Sequence, residues 1–472
     1  MMTASRLIIA CLLLLGTVTG CGKAEKKTDQ TTGSADTLAY KPDSYVELKH
    51  PDWSKNATIY EVNLRQYTPE GTFNAFATHL PRLKAMGVDI IWLMPIHPIG
   101  LKNRKGTLGN PYAVKDYYGI NPELGTIADF KALVATIHRM GMHVILDWVT
   151  NQSARDNSLV NDHPDWYTQT PAGTLQPTPG YDRTDIAYFD YSKPGIREYM
   201  AKALTHWVRE TDIDGYRCEV PESIPVDFWE NTRKELDMIK PVFMLAERES
   251  RNLHKRAFDM TYSSSLYDQM HKAATETKGV DGLVTYMANE ASTFPRNGYR
   301  MLFTDNQDKN TWIGAPYSQF GKALDACVVL TATANGMPLV YSGQEAGNPK
   351  QLEVFEKDVI DWKKHPNADL FKKLFALKHA NHALWNGAEG GELVPIVNDK
   401  PDQIIAFSRE KAGDRVVVIV NMSDKKTIVA LQTQKQAGTY QNVFKPTKNV
   451  LTGKDRFAMA PWGYTVMAAT GL

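Results

Sequence analysis

The sequence predicts an α/β protein: a (β/α)8, or TIM, barrel with a short loop subdomain inserted after its third strand and a C-terminal antiparallel β-sandwich. Three observations carry this prediction. From residue 56 onward, eight short apolar runs alternate with segments of helical period. No glycine-rich phosphate loop follows an early strand, as an open doubly wound sheet would want. Beyond about residue 388 the pattern changes to short strands of alternating polarity.

In chain order the eight runs are ATIYEVNLR (57–65), VDIIWLMPI (88–96), MHVILDWV (142–149), DGYRCEV (214–220), PVFMLAE (241–247), FDMTYS (258–263), YRMLFTDN (299–306) and PLVYSGQ (338–344). Each is close to continuously apolar, which fits parallel strands covered on both faces. Eight such units over about 300 residues are what a closed barrel needs. Between them, TFNAFATHLPRLKAMG (72–87) sets Phe73, Phe76, Leu80 and Leu83 on one helical face. ADFKALVATIHRMG (128–141) does the same with Phe130, Leu133, Val134 and Ile137, and both segments stop at glycine. Segments 196–210 and 228–239 read as helices in the same way. Residues 150–193 lack helical period and read as the inserted subdomain. The barrel is expected over 49–388 and the sandwich over 389–472, with strands at 404–410, 415–423 and 426–433.

The first residues read as an export signal. Arg6 precedes the apolar run LIIACLLLLGTV, which is too short to span a bilayer and ends in VTGC at Cys21. Residues 1–20 are expected to form a lipoprotein signal peptide, Cys21 to carry the lipid, and residues 21–48 to form a disordered tether. The folded body would then be membrane-anchored and face the outside of the cytoplasm, on the periplasmic side or the cell surface. A formal net charge of +1 gives no reason to expect nucleic acid as a partner. The four cysteines have neither the spacing of a disulfide framework nor that of a zinc site.

In a barrel of this kind the reactive groups sit at the C-terminal ends of the strands. Those ends carry Asp147, Asn151 and Gln152 after the third strand and Arg217 and Glu219 at the fourth. Glu247 ends the fifth, and Asn306, Gln307 and Asp308 end the seventh. Four carboxylates from four strands therefore converge on one rim. Paired carboxylates cut glycosidic bonds: one protonates the leaving oxygen, and the other attacks the sugar carbon or activates water. Arg217, two residues before Glu219, points to the same face and is expected to keep Glu219 ionised. Glu247 would need burial or a nearby negative charge to hold its proton. Asp308 could bind sugar hydroxyls and stabilise the developing cation.

The segments YEVNLRQYTPEGTF, IIWLMPIHPIG, LDWVTNQ, DGYRCEV, FMLAE, FTDNQD and GMPLVYSGQE resemble, in order, the signature segments of the α-amylase family, glycoside hydrolase family 13. The resemblance covers roughly residues 50–470. It implies retaining chemistry on α-glucosidic bonds of starch-type glucans or maltooligosaccharides, with no cofactor required. By position it makes Glu219 the nucleophile, Glu247 the general acid/base, Asp308 the transition-state stabiliser and Arg217 the arginine of the nucleophile. It also makes Tyr112 the tyrosine that stacks on the reacting sugar and Asn151 similar to a residue that in many members binds a structural calcium ion. Asp156, Asp162 and Asp182 could add ligands to such an ion.

Three positions depart from the family pattern. Its nucleophile is an aspartate, here Glu219, and its two active-site histidines are here Gln152 and Gln307. An extra methylene displaces the nucleophilic carboxylate, and a misplacement of around 1 Å can cost about 100-fold in rate. Two readings stay open: a hydrolase or transglycosylase with altered or reduced activity, and a catalytically inactive α-glucan-binding or sensing lipoprotein on the same fold. A purely structural surface lipoprotein would have no use for so polar a rim.

Overall fold

Eight parallel strands close into a barrel in a computed structural model that describes residues 45–176, 183–276 and 279–470. They are β1 (Ile59–Val62), β2 (Ile90–Leu93), β3 (His143–Trp148), β4 (Gly215–Cys218), β5 (Phe243–Ala246), β6 (Met260–Tyr262), β7 (Tyr299–Leu302) and β8 (Met337–Tyr341). Each falls within or against its apolar run, and β8 pairs back onto β1 through Ile59 and Leu339. The expected signal peptide, Cys21 and the expected tether as far as residue 44 lie outside the described residues. The last tether positions already belong to the body. The Glu47 N–H donates to the Lys255 carbonyl at 2.8 Å, and its carboxylate meets Arg256 at 2.5 Å. Among the described residues no helix is long and apolar enough to cross a membrane.

The helix Ile127–Arg139 forms as its pattern predicts. Thr126 and Asp129 make a reciprocal capping box, and Phe130, Leu133, Val134 and Ile137 are its buried residues. The helix expected over 72–87 is instead two, Phe73–Ala77 and Leu80–Met86. Pro81 is the reason. It has no N–H for a helix running in from Phe73, but it suits the first turn of a new one. The inserted region pairs Gln152–Ala154 with Ile186–Tyr188, and this hairpin holds Gln152 beside the barrel mouth.

Register sets the geometry of the mouth. β3 and β4 pair with Asp147 opposite Arg217, so their inward side chains meet at one height. Gly215 begins β4 at φ 146°, and a Cβ there would fall 1.9 Å from the Phe243 carbonyl oxygen. Only glycine lets β4 lie this close to β5.

The C-terminal region has more strands than the three expected: β9 (Val394–Pro395), β10 (Ile404–Lys411), β11 (Asp414–Asn421), β12 (Thr427–Gln432), β13 (Gly438–Asn442), β14 (Lys448–Leu451), β15 (Lys454–Met459) and β16 (Tyr464–Ala469). Six form one antiparallel sheet in the order β9-β10-β11-β16-β13-β14, and β12 pairs with β15 in a second sheet. The alternation along β10 and β11 explains the layering. Ile405, Phe407, Val416 and Val418 join the barrel core, while Ile404, Ala406, Val417 and Ile419 pack against Val429, Leu431 and Met459 of the small sheet.

Candidate active site

Arg217 is the centre of the site. Its side chain has no exposure, and its neighbours account for its donors. Nη1 donates to Asp147 Oδ1 at 2.7 Å, Nη2 lies 2.5 Å from Glu247 Oε1, and Nε donates to the Tyr262 hydroxyl at 3.2 Å. The rings of Trp92, Tyr112 and Tyr262 surround the guanidinium at 5.3–6.0 Å, which favours the cation over their faces. Asp147 is fixed from its other side by the Tyr112 hydroxyl at 3.0 Å.

Glu247 is gripped at both oxygens. Arg217 holds Oε1, and the Val220 N–H donates to Oε2 at 3.1 Å. Val220 reaches this position in a left-handed conformation, φ 41°, which is costly for a β-branched residue and marks stored strain at the mouth. Burial lifts the Glu247 carboxyl well above the ordinary range. Asp308 and Glu219 add to the rise, and Arg217 opposes it. Asp308 is half-buried and lines the same cleft as Glu247. This is the environment that the sequence demanded of a general acid.

Glu219 departs from expectation. Arg217 does not keep it ionised, because the guanidinium is already engaged by Asp147, Glu247 and Tyr262. Burial pushes the Glu219 carboxyl up to about 8, with the charge of Arg217 opposing and those of Asp147 and Asp308 adding to the rise. Its Oε2 is buried with no hydrogen-bond partner among the described residues.

The two glutamines are engaged internally. Gln152 donates to the Tyr112 carbonyl at 3.1 Å and so positions that tyrosine. With the Gln307 amide turned to satisfy both ends, its NH2 donates to Glu61 Oε1 at 2.6 Å and its carbonyl accepts from Arg217 Nη2 at 3.1 Å. Asn306 caps the helix Gln307–Trp312 by accepting from the Lys309 N–H at 2.8 Å, and it also borders the cleft. Glu222 and Arg248 form an ion pair at 2.9 Å on the rim.

Sequence reasoning missed Glu61, which is fully buried on β1 beneath Gln307. Its signal was present: a lone carboxylate inside an otherwise apolar strand. It also missed Trp312, 65% exposed at the end of the helix that begins with Gln307. Trp148, by contrast, is core, and Trp166 is stacked on His163 at 3.9 Å.

Two of the residues named for calcium have protein partners of their own. Asn151 is buried with its Nδ2 3.5 Å from Gln152 Oε1, and Asp156 is held by the Leu101 N–H at 3.0 Å and by Lys115 at 3.3 Å. Asp182 lies outside the described residues. Among the described residues no group of three or more acidic, histidine or cysteine side chains is arranged to hold a metal ion.

A cleft of about 970 Å³ opens at Glu247 and Asp308. It is large enough for a sizeable ligand. Buried carboxyls with raised proton affinity, clamped around one arginine at a barrel mouth, are suited to proton transfer and carboxylate attack at a sugar carbon.

The chain matches two family models: the α-amylase catalytic domain over residues 30–179 and 181–386, and the α-amylase C-terminal all-β domain over 396–460. It is 26% identical over 401 residues to the α-amylase MalA of Haloarcula japonica, covering 81% of this chain and 57% of that protein. It is 30% identical over 405 residues to an α-1,4-glucan:maltose-1-phosphate maltosyltransferase of Rhodospirillum rubrum, covering 77% of this chain and 56% of that protein. It thus spans less than two thirds of the length of these curated relatives. The solved structure of an α-amylase from Lactobacillus plantarum superposes with a TM-score of 0.79 at 30% identity, covering 89% of this chain and all of that one.

Proposed function

The chain belongs to the α-amylase family of glycosidases and transglycosylases, and we propose that it acts on α-glucosidic bonds of starch-type glucans or maltooligosaccharides with retention of configuration. The observation that carries this reading is the clamp of Arg217 between Asp147 and Glu247, with Glu219 and Asp308 alongside. In the proposed reaction a Glu219 carboxylate oxygen attacks the anomeric carbon. The bond to the leaving oxygen breaks, and that oxygen takes the proton of Glu247. Water or a sugar hydroxyl then attacks the same carbon, returns a proton to Glu247 and releases Glu219. Asp308 stabilises the positive charge between these states. Tyr112 and Asp147 bound the place of the reacting sugar.

The same geometry supports reduced turnover at neutral pH. Attack needs ionised Glu219, and burial, which pushes this carboxyl up to about 8, favours its neutral form at pH 7. The unpartnered Glu219 Oε2 favours a second reading, an inactive α-glucan binder. Incubation of the protein and its Glu219→Asp variant with maltooligosaccharides separates them. Product from the parent that the variant loses supports a repositioned nucleophile. Product from the variant alone supports the binder. Failure of either protein to bind any maltooligosaccharide in calorimetry removes both.

The proposal includes a lipid anchor at Cys21 that holds the body at a membrane outside the cytoplasm. Cys21→Ala is expected to release the protein from the membrane fraction, and continued membrane retention of the variant would count against the anchor. Calcium remains a proposed structural ion. Its test is the thermal midpoint with and without a chelator, which is expected to fall on chelation if the ion is held.

A further inference from the structure

We propose that Arg300 on β7 is a positioning residue for the proton donor Glu247 and that it acts through Glu249, two residues further along the chain. This rests on the function proposed above and adds what fixes the acid from outside the Arg217 clamp. β5 ends at Ala246, and the chain beyond it is still tied to the barrel. The Glu247 N–H donates to the Cys218 carbonyl at 3.0 Å, and the Arg248 carbonyl accepts from the Tyr262 N–H at 3.1 Å. Glu249 comes next, and a buried cation holds it. Arg300 stands opposite Thr261 in the ladder of β6 and β7, and its guanidinium reaches across β6. Nη1 donates to the Thr261 hydroxyl, and Nη2 meets Glu249 Oε1 and lies 3.3 Å from the Ser263 hydroxyl. Glu249 Oε2 accepts from the Ser265 N–H at 2.8 Å and from the Ser265 hydroxyl at 2.6 Å. Both oxygens of Glu249 are thus committed, and charge-assisted bonds of this kind are the strong ones.

Arg300 also has a plainly structural duty. Its Nε donates to Glu290 Oε1 at 2.7 Å, and its guanidinium carbon lies 3.5 Å from the centre of the Phe294 ring. Glu290 belongs to the helix Gly279–Thr293, which the Tyr286 hydroxyl also ties to the Ser263 hydroxyl at 2.6 Å. Docking this helix needs Glu290 and Phe294 and has no use for Glu249. The bond to Glu249 serves the segment that carries the acid. The charges that act most strongly on Glu247 are those of Arg217, Asp308 and Glu219. Arg300 is not a partner of Glu247, so its effect on the acid comes from where it holds the chain. Small displacements matter here, since a misplacement of around 1 Å can cost about 100-fold in rate.

The test compares the full chain with Arg300→Met, Arg300→Lys, Glu249→Ala and Glu290→Ala. The Glu247 carboxyl is titrated by NMR of labelled glutamate, and its signal is identified by its loss in Glu247→Gln. In Arg300→Met and Glu249→Ala this carboxyl should titrate lower than in the parent by about one pH unit or more, because a displaced acid regains water. Arg300→Lys should recover part of the shift, since one ammonium can still meet Glu249 but cannot span the other partners. Glu290→Ala should lower the thermal midpoint while Glu247 titrates as in the parent. With maltooligosaccharides, the alkaline limb of the turnover profile should move to lower pH in Arg300→Met and Glu249→Ala. Their kcat should fall at least about tenfold with KM changed no more than about threefold. A lowered midpoint in Arg300→Met with Glu247 titrating as in the parent overturns the proposal and leaves Arg300 a helix dock. Equal shifts in Glu290→Ala and Glu249→Ala overturn it too, because the effect would then run through the helix. Glu249→Ala decides the matter if Arg300→Met does not fold. A parent that cleaves no maltooligosaccharide removes the proposed function, and the titrations still decide the role of Arg300.

Discussion

Arg217 Nη2 lies 2.5 Å from Glu247 Oε1 in a pocket where the arginine side chain has no exposure. A guanidinium so buried is tolerated only because carboxylates and hydroxyls meet its fork. Arg217→Met would leave Asp147 without its counter-charge and Glu247 Oε1 without its donor, and breaking a buried pair costs about 3–5 kcal/mol. Arg217→Lys keeps a charge but cannot span both carboxylates and Tyr262. The thermal midpoint is expected to fall by several degrees in the Met variant and by less in the Lys variant. Turnover should drop by at least about 100-fold in both, because the acid and Asp147 lose their fixed places. Scanning calorimetry and initial rates give the answer, and a Met variant as stable as the parent would contradict the clamp.

Glu219 gives a pH signature. Its carboxyl is pushed up to about 8 from an ordinary value of 4.5, so the folded chain keeps a proton that the unfolded chain has released. Its contribution to stability is complete below about pH 4.5 and is lost as pH rises through about 8. Glu219→Gln is neutral at every pH and nearly the same size. Relative to the parent, this variant should gain stability steadily between pH 5 and 8, with a level difference at more acid pH. Turnover should run the opposite way: the parent rate should climb toward pH 8 as the carboxylate forms, and the variant should have none. Parallel melting curves for the two proteins across this range would show that Glu219 is not held protonated.

The barrel was legible because its signal is local and repeated. Each of the eight runs is mostly apolar, and neither a propensity nor a distant partner was needed to place it. Glu219, Glu247 and Asp308 were legible for a related reason, since a carboxylate just past a buried run must lie at the mouth. What sequence could not supply was the sharing of one guanidinium. Arg217 and Glu219 stand two residues apart in the chain, yet Arg217 binds Asp147 of β3 and Glu247 just past β5, because register and not sequence distance decides who meets. The strand ladder also hid Glu61, whose partner Gln307 is 246 positions away. In the C-terminal region, β13 to β15 are short and interrupted by turns, and their alternation was too brief to read.

Glu61 is expected to act as a positioning residue. Its two oxygens accept from the Gln307 side chain at 2.6 Å and from the Gln307 backbone N–H at 3.4 Å, and Gln307 in turn accepts from Arg217. Glu61→Ala removes both acceptors and frees Gln307 to turn. The expected result is a fall in kcat of about 10–100-fold with KM changed no more than a few-fold, since Glu61 lies behind the residues that face the sugar. Glu61→Gln should recover part of kcat, because its amide oxygen still accepts one of the two bonds. Equal losses in the Ala and Gln variants, or a loss confined to KM, would argue against the relay.

Arg409 on β10 predicts how the two parts of the body hold together. Its side chain is buried and donates to four backbone carbonyls, Ala334 at 2.6 Å, Gly391 at 2.9 Å, Trp385 at 3.0 Å and Thr333 at 3.2 Å, and to the Asn335 amide oxygen at 3.3 Å. Thr333 and Ala334 end a barrel helix, whereas Trp385 and Gly391 lie in the connector before β9. No carboxylate among the described residues pairs with it, so the charge is neutralised by carbonyl dipoles alone. Arg409→Met would strand these carbonyls in an apolar interior, at about 1–3 kcal/mol for each one left without a partner or water. Gly390→Ala is a second probe, because a Cβ there would fall 2.1 Å from the Trp385 carbonyl oxygen and 2.5 Å from Arg409 Nη2 and push both out of place. Scanning calorimetry is expected to show a lowered midpoint for both variants, and the informative one is Arg409→Met. In that variant a separate early transition should appear as the C-terminal sheets come away from the barrel. A single transition at the parent midpoint would mean that the apolar contacts of β10 and β11 hold this interface without the arginine.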